Sequence, residues 1–163
     1  MFDRFGNMDS AEAINELALN LLNEGDHESI KVLAEENGID EGIVEIFITG
    51  EILYICDDMS AAIGKIDMEC KELKPVEIMA DWVEYLKSRC FEDVAMARAV
   101  RQSNKSLKAA IAELLTWSFK NQNPVDKDIL KAAGVNGRCT LGIPGMGRAK
   151  KIMTEYYLGQ EKK

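Results

Sequence analysis

The sequence predicts an all-α protein, a compact bundle of about eight or nine short helices. Apolar residues recur at intervals of three and four along most of the chain, the spacing of one helix face. Residues that cap helix N-termini stand before these segments, and glycines follow them. The β-branched stretch 43–55 is also assigned to helix, because it keeps this spacing and lies between caps.

Caps and glycines define the first three helices. Their predicted starts and ends are, in order, Asp9 or Ser10 to Gly25, Asp26 to Asn37-Gly38, and Asp40 to Gly50. Residues 34–40 therefore form a predicted tight corner between two helices. The second helix of this corner is acidic and would be repelled by DNA, so we do not interpret it as a DNA-reading element.

The middle of the chain continues the helical pattern. Residues 51–73 are predicted to form one long helix, or two helices broken near Asp57-Asp58. Pro75 fits the first turn of the next helix. A short helix is predicted over 94–101. Ser106 then caps a helix whose broad apolar face places it at the centre of the core.

The last part of the chain contains its only glycine-rich stretch. Pro124 and Asp126 open a short helix that ends at Ala133-Gly134. Residues 134–147 hold five glycines and one proline. A final helix is predicted from Arg148 to Leu158, and the tail 160–163 is expected to fray.

Charge divides the chain into two regions. Residues 1–74, a predicted acidic helical N-terminal region, hold 18 acidic and 5 basic residues, a balance of −13. Residues 75–163, a predicted helical region with the glycine-rich loop and the C-terminal helix, hold 10 acidic and 15 basic residues, a balance of +5. Such halves can offer an acidic face to a basic partner and a basic face to phosphate. A solvated acidic surface that only keeps the protein soluble is the alternative.

Several classes of protein are disfavoured. No apolar run approaches the roughly 18 residues of a membrane span, and residues 1–6 lack the basic start of a signal peptide. The four cysteines, Cys56, Cys70, Cys90 and Cys139, are far apart in sequence and are expected to be reduced thiols of a cytoplasmic protein. With one histidine in the chain, we expect neither a metal site nor another cofactor.

Enzymatic activity is not expected either. The chain has no GxSxG motif, and its single histidine, His27, lies in an acidic turn. The neighbouring carboxylates Glu35-Glu36 and Asp57-Asp58 would point about 100° apart on a helix and would not converge. We therefore predict a protein that acts by binding a macromolecule.

The segment Leu141–Ile152 is a candidate nucleic-acid-binding loop. Its glycines lead into a helix start, where backbone N–H groups can approach a phosphate. The candidate residues are Gly145, Gly147, Arg148, Lys150 and Lys151. The run Ile-Pro-Gly-Met-Gly resembles the hairpin of helix-hairpin-helix modules, although Lys151 stands where those modules carry a small or apolar residue. A structural turn with solvated basic residues is the alternative.

A second resemblance rests on spaced residues between 85 and 158. They are Tyr85-Leu86-Lys87-Ser88-Arg89, Asp93 and Ala95, Lys105-Ser106-Leu107 leading to Ile111, Asp128-Ile129, and Tyr156-Tyr157. This pattern resembles the PcfK-like family, small proteins of conjugative plasmids and integrated elements, some of which are described as inhibitors of type II-A Cas9. The acidic first half is similar to the N-terminal portion of Firmicutes mobile-element relatives.

The PcfK-like resemblance implies an anti-CRISPR protein that binds a Cas effector, Cas9 with its guide RNA, stoichiometrically. Cas9 holds nucleic acid in basic channels, which an acidic helical surface could occupy. The candidate partner-binding residues are Glu35, Glu36, Glu41, Glu45, Asp57 and Asp58. The alternative is an accessory protein of a conjugative element that binds nucleic acid through the glycine-rich loop and the basic C-terminal helix.

Overall fold

A computed structural model describes residues 3–159, so the predicted fraying of 160–163 lies outside the described residues. Nine helices occur in the described range: α1 (Ala11–Asn23), α2 (His27–Glu36), α3 (Glu41–Ile48), α4 (Asp58–Leu73), α5 (Ile78–Glu92), α6 (Val94–Arg101), α7 (Leu107–Lys120), α8 (Lys127–Ala132) and α9 (Met146–Leu158). Two short antiparallel strands, β1 (Asn123–Pro124) and β2 (Thr140–Leu141), pair with Asn123 opposite Leu141. The all-α prediction and the number of helices are confirmed.

Most of the predicted caps are observed. Ser10, Asp26, Asp40, Ser106 and Asp126 each accept a hydrogen bond from a backbone N–H in the first turn of their helix. Between the two candidates for α1, Ser10 is therefore the cap. The neighbouring Asp9 has another role. Its carboxylate accepts the backbone N–H of Ser103 at 2.8 Å, which connects residues 3–10, here called the N-terminal arm, to the end of α6.

The prediction of helix for 51–57 is wrong. The left-handed Gly50 follows α3, and the chain stays irregular until Asp57 caps α4 together with Ser60. A distant side chain stabilises this segment: Asn15 Oδ1 accepts the N–H groups of Ile55 and Cys56 at 3.0 and 3.2 Å. The backbone thus finds its partners without forming a helix.

The predicted role of Pro75 is also wrong. Lys74 takes a left-handed conformation that ends α4, and Glu77 has a positive φ directly before α5. Pro75 therefore lies in the link between the two helices and not in a first turn. The last helix begins two residues earlier than predicted, at Met146, so that Gly147 lies inside its first turn.

Buried apolar residues form two clusters. The first lies among α1, α2, α3, residues 55–56 and Ala61, and the second lies among α4, α5, α6, α7 and α9. Helix α4 contributes to both, with Ala61 in one cluster and Ala62 in the other. The division of the chain near residue 74 stays a prediction, since the two clusters meet within α4.

Helix α7 is less central than predicted. Leu107, Ala110 and Leu114 are fully buried, but Leu115 and Phe119 on its other face are 53% and 74% exposed. The broad apolar face therefore covers only part of the core and leaves a solvent-facing apolar strip.

Polar and backbone contacts join the two halves. The buried Arg101 of α6 donates hydrogen bonds to Met8 O and Ala61 O at 2.8 and 3.1 Å, and to Asn37 Oδ1. Gly64 of α4 packs directly on the α2–α3 turn, where a Cβ would stand 2.7 Å from Asn37 O.

None of the helices within residues 3–159 has both the length and the apolar composition of a membrane-spanning segment.

Candidate binding surfaces

Two of the predicted acidic residues, Glu35 and Glu41, line a groove of about 1020 Å³ beside α2, α3 and α4, here called the α2–α3 groove. Lys31 also lines it, and its ammonium lies 3.8 Å from the exposed Glu41 carboxylate. An exposed ion pair of this length contributes little attraction, so Glu41 stays accessible to a partner. Glu45 is exposed on α3 but does not line the groove.

Glu36 is already occupied inside the protein. Its carboxylate accepts the backbone N–H groups of Arg4, Phe5 and Gly6. Partial burial raises the pKa of this carboxyl, but the three hydrogen bonds outweigh that effect and hold the pKa below its usual range. The Glu36 carboxylate therefore holds residues 4–6 in place, and it is less available to a partner than the other predicted carboxylates.

Asp57 and Asp58 line a second groove, here called the α1–α6 groove, with a volume of about 940 Å³. Helix α1, the segment 51–57 and helix α6 form its walls. Its acidic residues are Asp9, Glu12, Glu16, Asp57 and Asp58. Sequence reasoning missed Glu12 and Glu16, although their spacing of four on α1 placed them on one helix face.

The α1–α6 groove also has an apolar component. Leu19, Leu53 and Tyr54 line it and are 48%, 77% and 66% exposed. Large apolar side chains that remain solvent-facing beside charged residues are typical of protein–protein contact sites. Four of the six predicted acidic residues thus line two grooves that share no lining residue, whereas Glu36 and Glu45 line neither.

The groove's two cations are both engaged with other groups. Arg98 Nε lies 2.9 Å from an Asp58 carboxylate oxygen, while Arg101 is buried and donates to the acceptors described above. Hydrogen bonds from the backbone and hydroxyl of Ser60 lower the pKa of Asp57, so this carboxylate is ionised at neutral pH. Glu12 and Glu16 form no ion pair within residues 3–159.

The predicted nucleic-acid-binding residues gather at the start of α9. Gly145 is the N-cap, and no side chain caps this helix. A Cβ added at Gly145 or Gly147 would meet no atom within 4 Å, so the backbone here is open to a ligand. Two of the cations contact aromatic rings: Arg148 Cζ lies 5.8 Å from the centroid of the Trp117 ring, and Lys150 Nζ lies 5.2 Å from the centroid of the Tyr85 ring.

The loop before α9 is anchored firmly. Gly142 is buried against the end of α7, where an added Cβ would stand 2.7 Å from Ser118 O, and Pro144 is buried beside it. The remaining cation of the candidate set, Lys151, is exposed. The arrangement presents three basic residues at an uncapped helix start.

The cysteines carry no disulfide: Cys56 and Cys90 are buried, Cys70 is half-buried and Cys139 is exposed. Burial raises the pKa of the Cys56 and Cys90 thiols to about 12, so both are protonated at neutral pH. In the part of the chain that the structure describes, no three His, Cys, Asp or Glu residues are grouped so as to hold a metal ion.

Comparison with known proteins finds no matching family model, no matching curated protein and no matching solved structure. The resemblance to the PcfK-like family, drawn from spaced residues, therefore stays a prediction.

Proposed function

We propose that this protein is an anti-CRISPR inhibitor that binds a Cas effector, type II-A Cas9, stoichiometrically in the cytoplasm. The supporting observation is the uncancelled charge of its first half. The acidic and basic halves pack together along α4, yet in residues 3–159 only two ion pairs join them, Asp67–Lys87 and Asp58–Arg98. Only 4 of the 18 acidic residues in 1–74 form an ion pair there, so ion pairs leave most of the negative charge of this half uncancelled.

A surface of this kind suits a basic target. Guide-bound effectors hold nucleic acid in positively charged channels, and an acidic protein can occupy such a channel in place of phosphate. Complementary charge accelerates association and selects the partner, whereas buried apolar contacts supply much of the affinity. The α1–α6 groove provides both, because Leu53 and Tyr54 lie among its five carboxylates.

The test is a titration of the purified protein into a guide-programmed Cas9 cleavage reaction. We expect cleavage to stop near one equivalent. A charge-matched acidic helical protein serves as the specificity control. Persistent cleavage at large excess would contradict inhibition of that effector.

Charge reversal maps the face. Glu12→Lys/Glu16→Lys alters the α1–α6 groove, and Glu35→Lys/Glu41→Lys/Glu45→Lys alters the α2–α3 region. We expect Glu12→Lys/Glu16→Lys to weaken inhibition by at least about tenfold, because the α1–α6 groove then loses charge that is complementary to a basic partner. The matched control is Asp81→Lys/Glu92→Lys, at two exposed positions of α5 that form no ion pair within 3–159. An equal loss in this control would mean that net charge, and not either groove, governs inhibition.

A second candidate function is supported by the uncapped start of α9. In this proposal the protein is a nucleic-acid-binding accessory factor of a conjugative element, and Arg148, Lys150 and Lys151 contact phosphate while Gly145 and Gly147 admit the backbone. Three phosphate contacts predict that affinity falls about 40-fold between about 50 and 200 mM salt.

A gel-shift titration tests this alternative. Arg148→Glu/Lys150→Glu/Lys151→Glu should abolish the shift. Lys108→Glu/Lys127→Glu/Lys131→Glu makes the same charge change at exposed positions of α7 and α8 and should retain most of it. A shift that survives the first variant would exclude the loop as the site.

A further inference from the structure

Exposed apolar side chains are frequent in one stretch of the chain. Of the 17 large apolar residues that are exposed in the described chain, seven lie within 115–146. These seven, here called the C-terminal apolar surface, are Leu115, Phe119, Ile129, Val135, Leu141, Ile143 and Met146. Where such side chains lie close together on a protein with a net charge of −8, they are typical of an interaction site.

Contacts between residues 140–142 and the end of α7 join two segments of this surface. Leu115 and Phe119 are four residues apart on one face of α7. Buried Gly142 touches the end of α7 near Ser118 and Asn121, and its neighbours Leu141 and Ile143 are exposed. Thr140 Oγ1 also bonds the Gln122 side chain at 2.9 Å. The end of α7 and residues 140–143 are therefore in contact, and both segments carry exposed apolar side chains.

Basic residues outnumber the acidic residues, Asp126 and Asp128, by five to two in the stretch 115–148 that carries the C-terminal apolar surface. Lys120, Lys127, Lys131, Arg138 and Arg148 are all exposed, and none forms an ion pair within residues 3–159. Six of the seven apolar residues are aliphatic, whereas single-stranded nucleic acid is bound by stacking on aromatic rings. The expected occupant is therefore an acidic protein surface with its own exposed apolar side chains.

The α1–α6 groove of the same chain meets that description. It carries five carboxylates together with the exposed Leu19, Leu53 and Tyr54, and it shares no residue with the C-terminal apolar surface. Helix α7 starts beside α4, where Leu107 N–H bonds Glu69, and its 14 residues extend about 20 Å, so that Phe119 lies near the end of α7 that is distant from this contact.

We propose that the C-terminal apolar surface of one copy docks in the α1–α6 groove of a second copy, head to tail. Each side contributes apolar area and opposite charge, the combination that stabilises and orients protein interfaces. Because the contact joins two different surfaces, a dimer retains one free groove on one copy and one free apolar surface on the other. Association then continues into longer assemblies or closes into a ring.

This inference does not rest on the inhibitor proposal, since its test contains only the purified chain. If both hold, a groove filled by a second copy is closed to an effector, so self-association and inhibition compete.

The test is sedimentation velocity of the full chain between about 5 and 200 μM at low salt, the range in which weak interfaces assemble. Leu53→Ser/Tyr54→Ser disables the groove, and Leu115→Glu/Phe119→Glu disables the apolar surface. All four positions are more than half exposed, so both variants should fold, which circular dichroism checks. We expect the wild type to form dimers and larger species, and each variant alone to stay monomeric.

Mixing the two variants gives the decisive result. One variant retains an intact apolar surface and the other an intact groove, so the mixture should form a 1:1 dimer and nothing larger. This dimer should weaken at least about tenfold when salt screens the charges. A monomeric wild type over the whole range, a monomeric mixture, or a groove variant that associates like the wild type would each overturn the proposal.

Discussion

Replacing Arg101 by methionine tests how the two halves are held together. Arg101 is 1% exposed, and its guanidinium donates to Met8 O, Ala61 O and Asn37 Oδ1, so it joins the N-terminal arm, α4 and the end of α2 to α6. Burial lowers the pKa of Arg101 to about 10, which still leaves it charged at neutral pH. The Arg101→Met variant keeps similar volume but removes every donor.

The size of the effect follows from these contacts. Three hydrogen bonds from a charged donor contribute about 1.5 kcal/mol each to the free energy of unfolding. Burial of the methionine side chain offsets about 1.5 kcal/mol of that loss. We therefore expect Arg101→Met to lower the free energy of unfolding by about 3 kcal/mol, a large part of the stability of a domain of this size.

Urea unfolding followed by circular dichroism measures this change. Arg98→Met is the matched control: Arg98 is one helical turn away, its side chain is 69% exposed and its only ion pair within residues 3–159 is with Asp58. The control should lose less than about 0.5 kcal/mol. A loss below about 1 kcal/mol for Arg101→Met, or equal losses for both variants, would refute this account of Arg101.

Three further predictions concern single contacts. Burial lowers the pKa of Lys65 to about 8, against 10.5 in the unfolded chain. The unfolded state then binds the proton more tightly, so the stability advantage of the wild type over Lys65→Met should grow by about 1 kcal/mol from about pH 7 to pH 9 in urea titrations. Gly64→Ala should lower the free energy of unfolding by about 3 kcal/mol, because the added Cβ would lie 2.7 Å from backbone atoms. Gly147→Ala adds a Cβ in open space within a helix, so it should be neutral or stabilising by about 0.5 kcal/mol. Equal melting temperatures for the two variants would contradict this. Glu36→Ala should speed amide hydrogen exchange at residues 4–6 by at least about tenfold, and an unchanged rate would mean that other contacts hold the arm.

The comparison of sequence and structure separates local from distant causes. The sequence predicts Asp26, Asp40 and Ser106 as caps because a cap and its partner N–H lie within three residues. The helix predicted for 51–57 failed because Asn15, about 40 residues away, binds the backbone of that segment. No local pattern contains that contact.

The candidate sites show the same division. The acidic residues were identified by composition, but Glu35 and Glu36 are sequence neighbours with different roles: one faces a groove and the other binds the N-terminal arm. Leu53 and Tyr54 belong to no sequence motif. Their exposure beside the carboxylates of the α1–α6 groove is a property of the tertiary structure alone.

The sequence by itself determined the all-α class, the positions of most caps and the separation of charge between the two halves. These properties depend on residue type and on spacings of a few residues, which a chain displays before it folds. The tertiary structure decided which carboxylates face solvent, which meet in one groove and which cation is buried. Those outcomes depend on contacts such as Arg101 with Met8, 93 residues apart, whose formation requires the helices to pack.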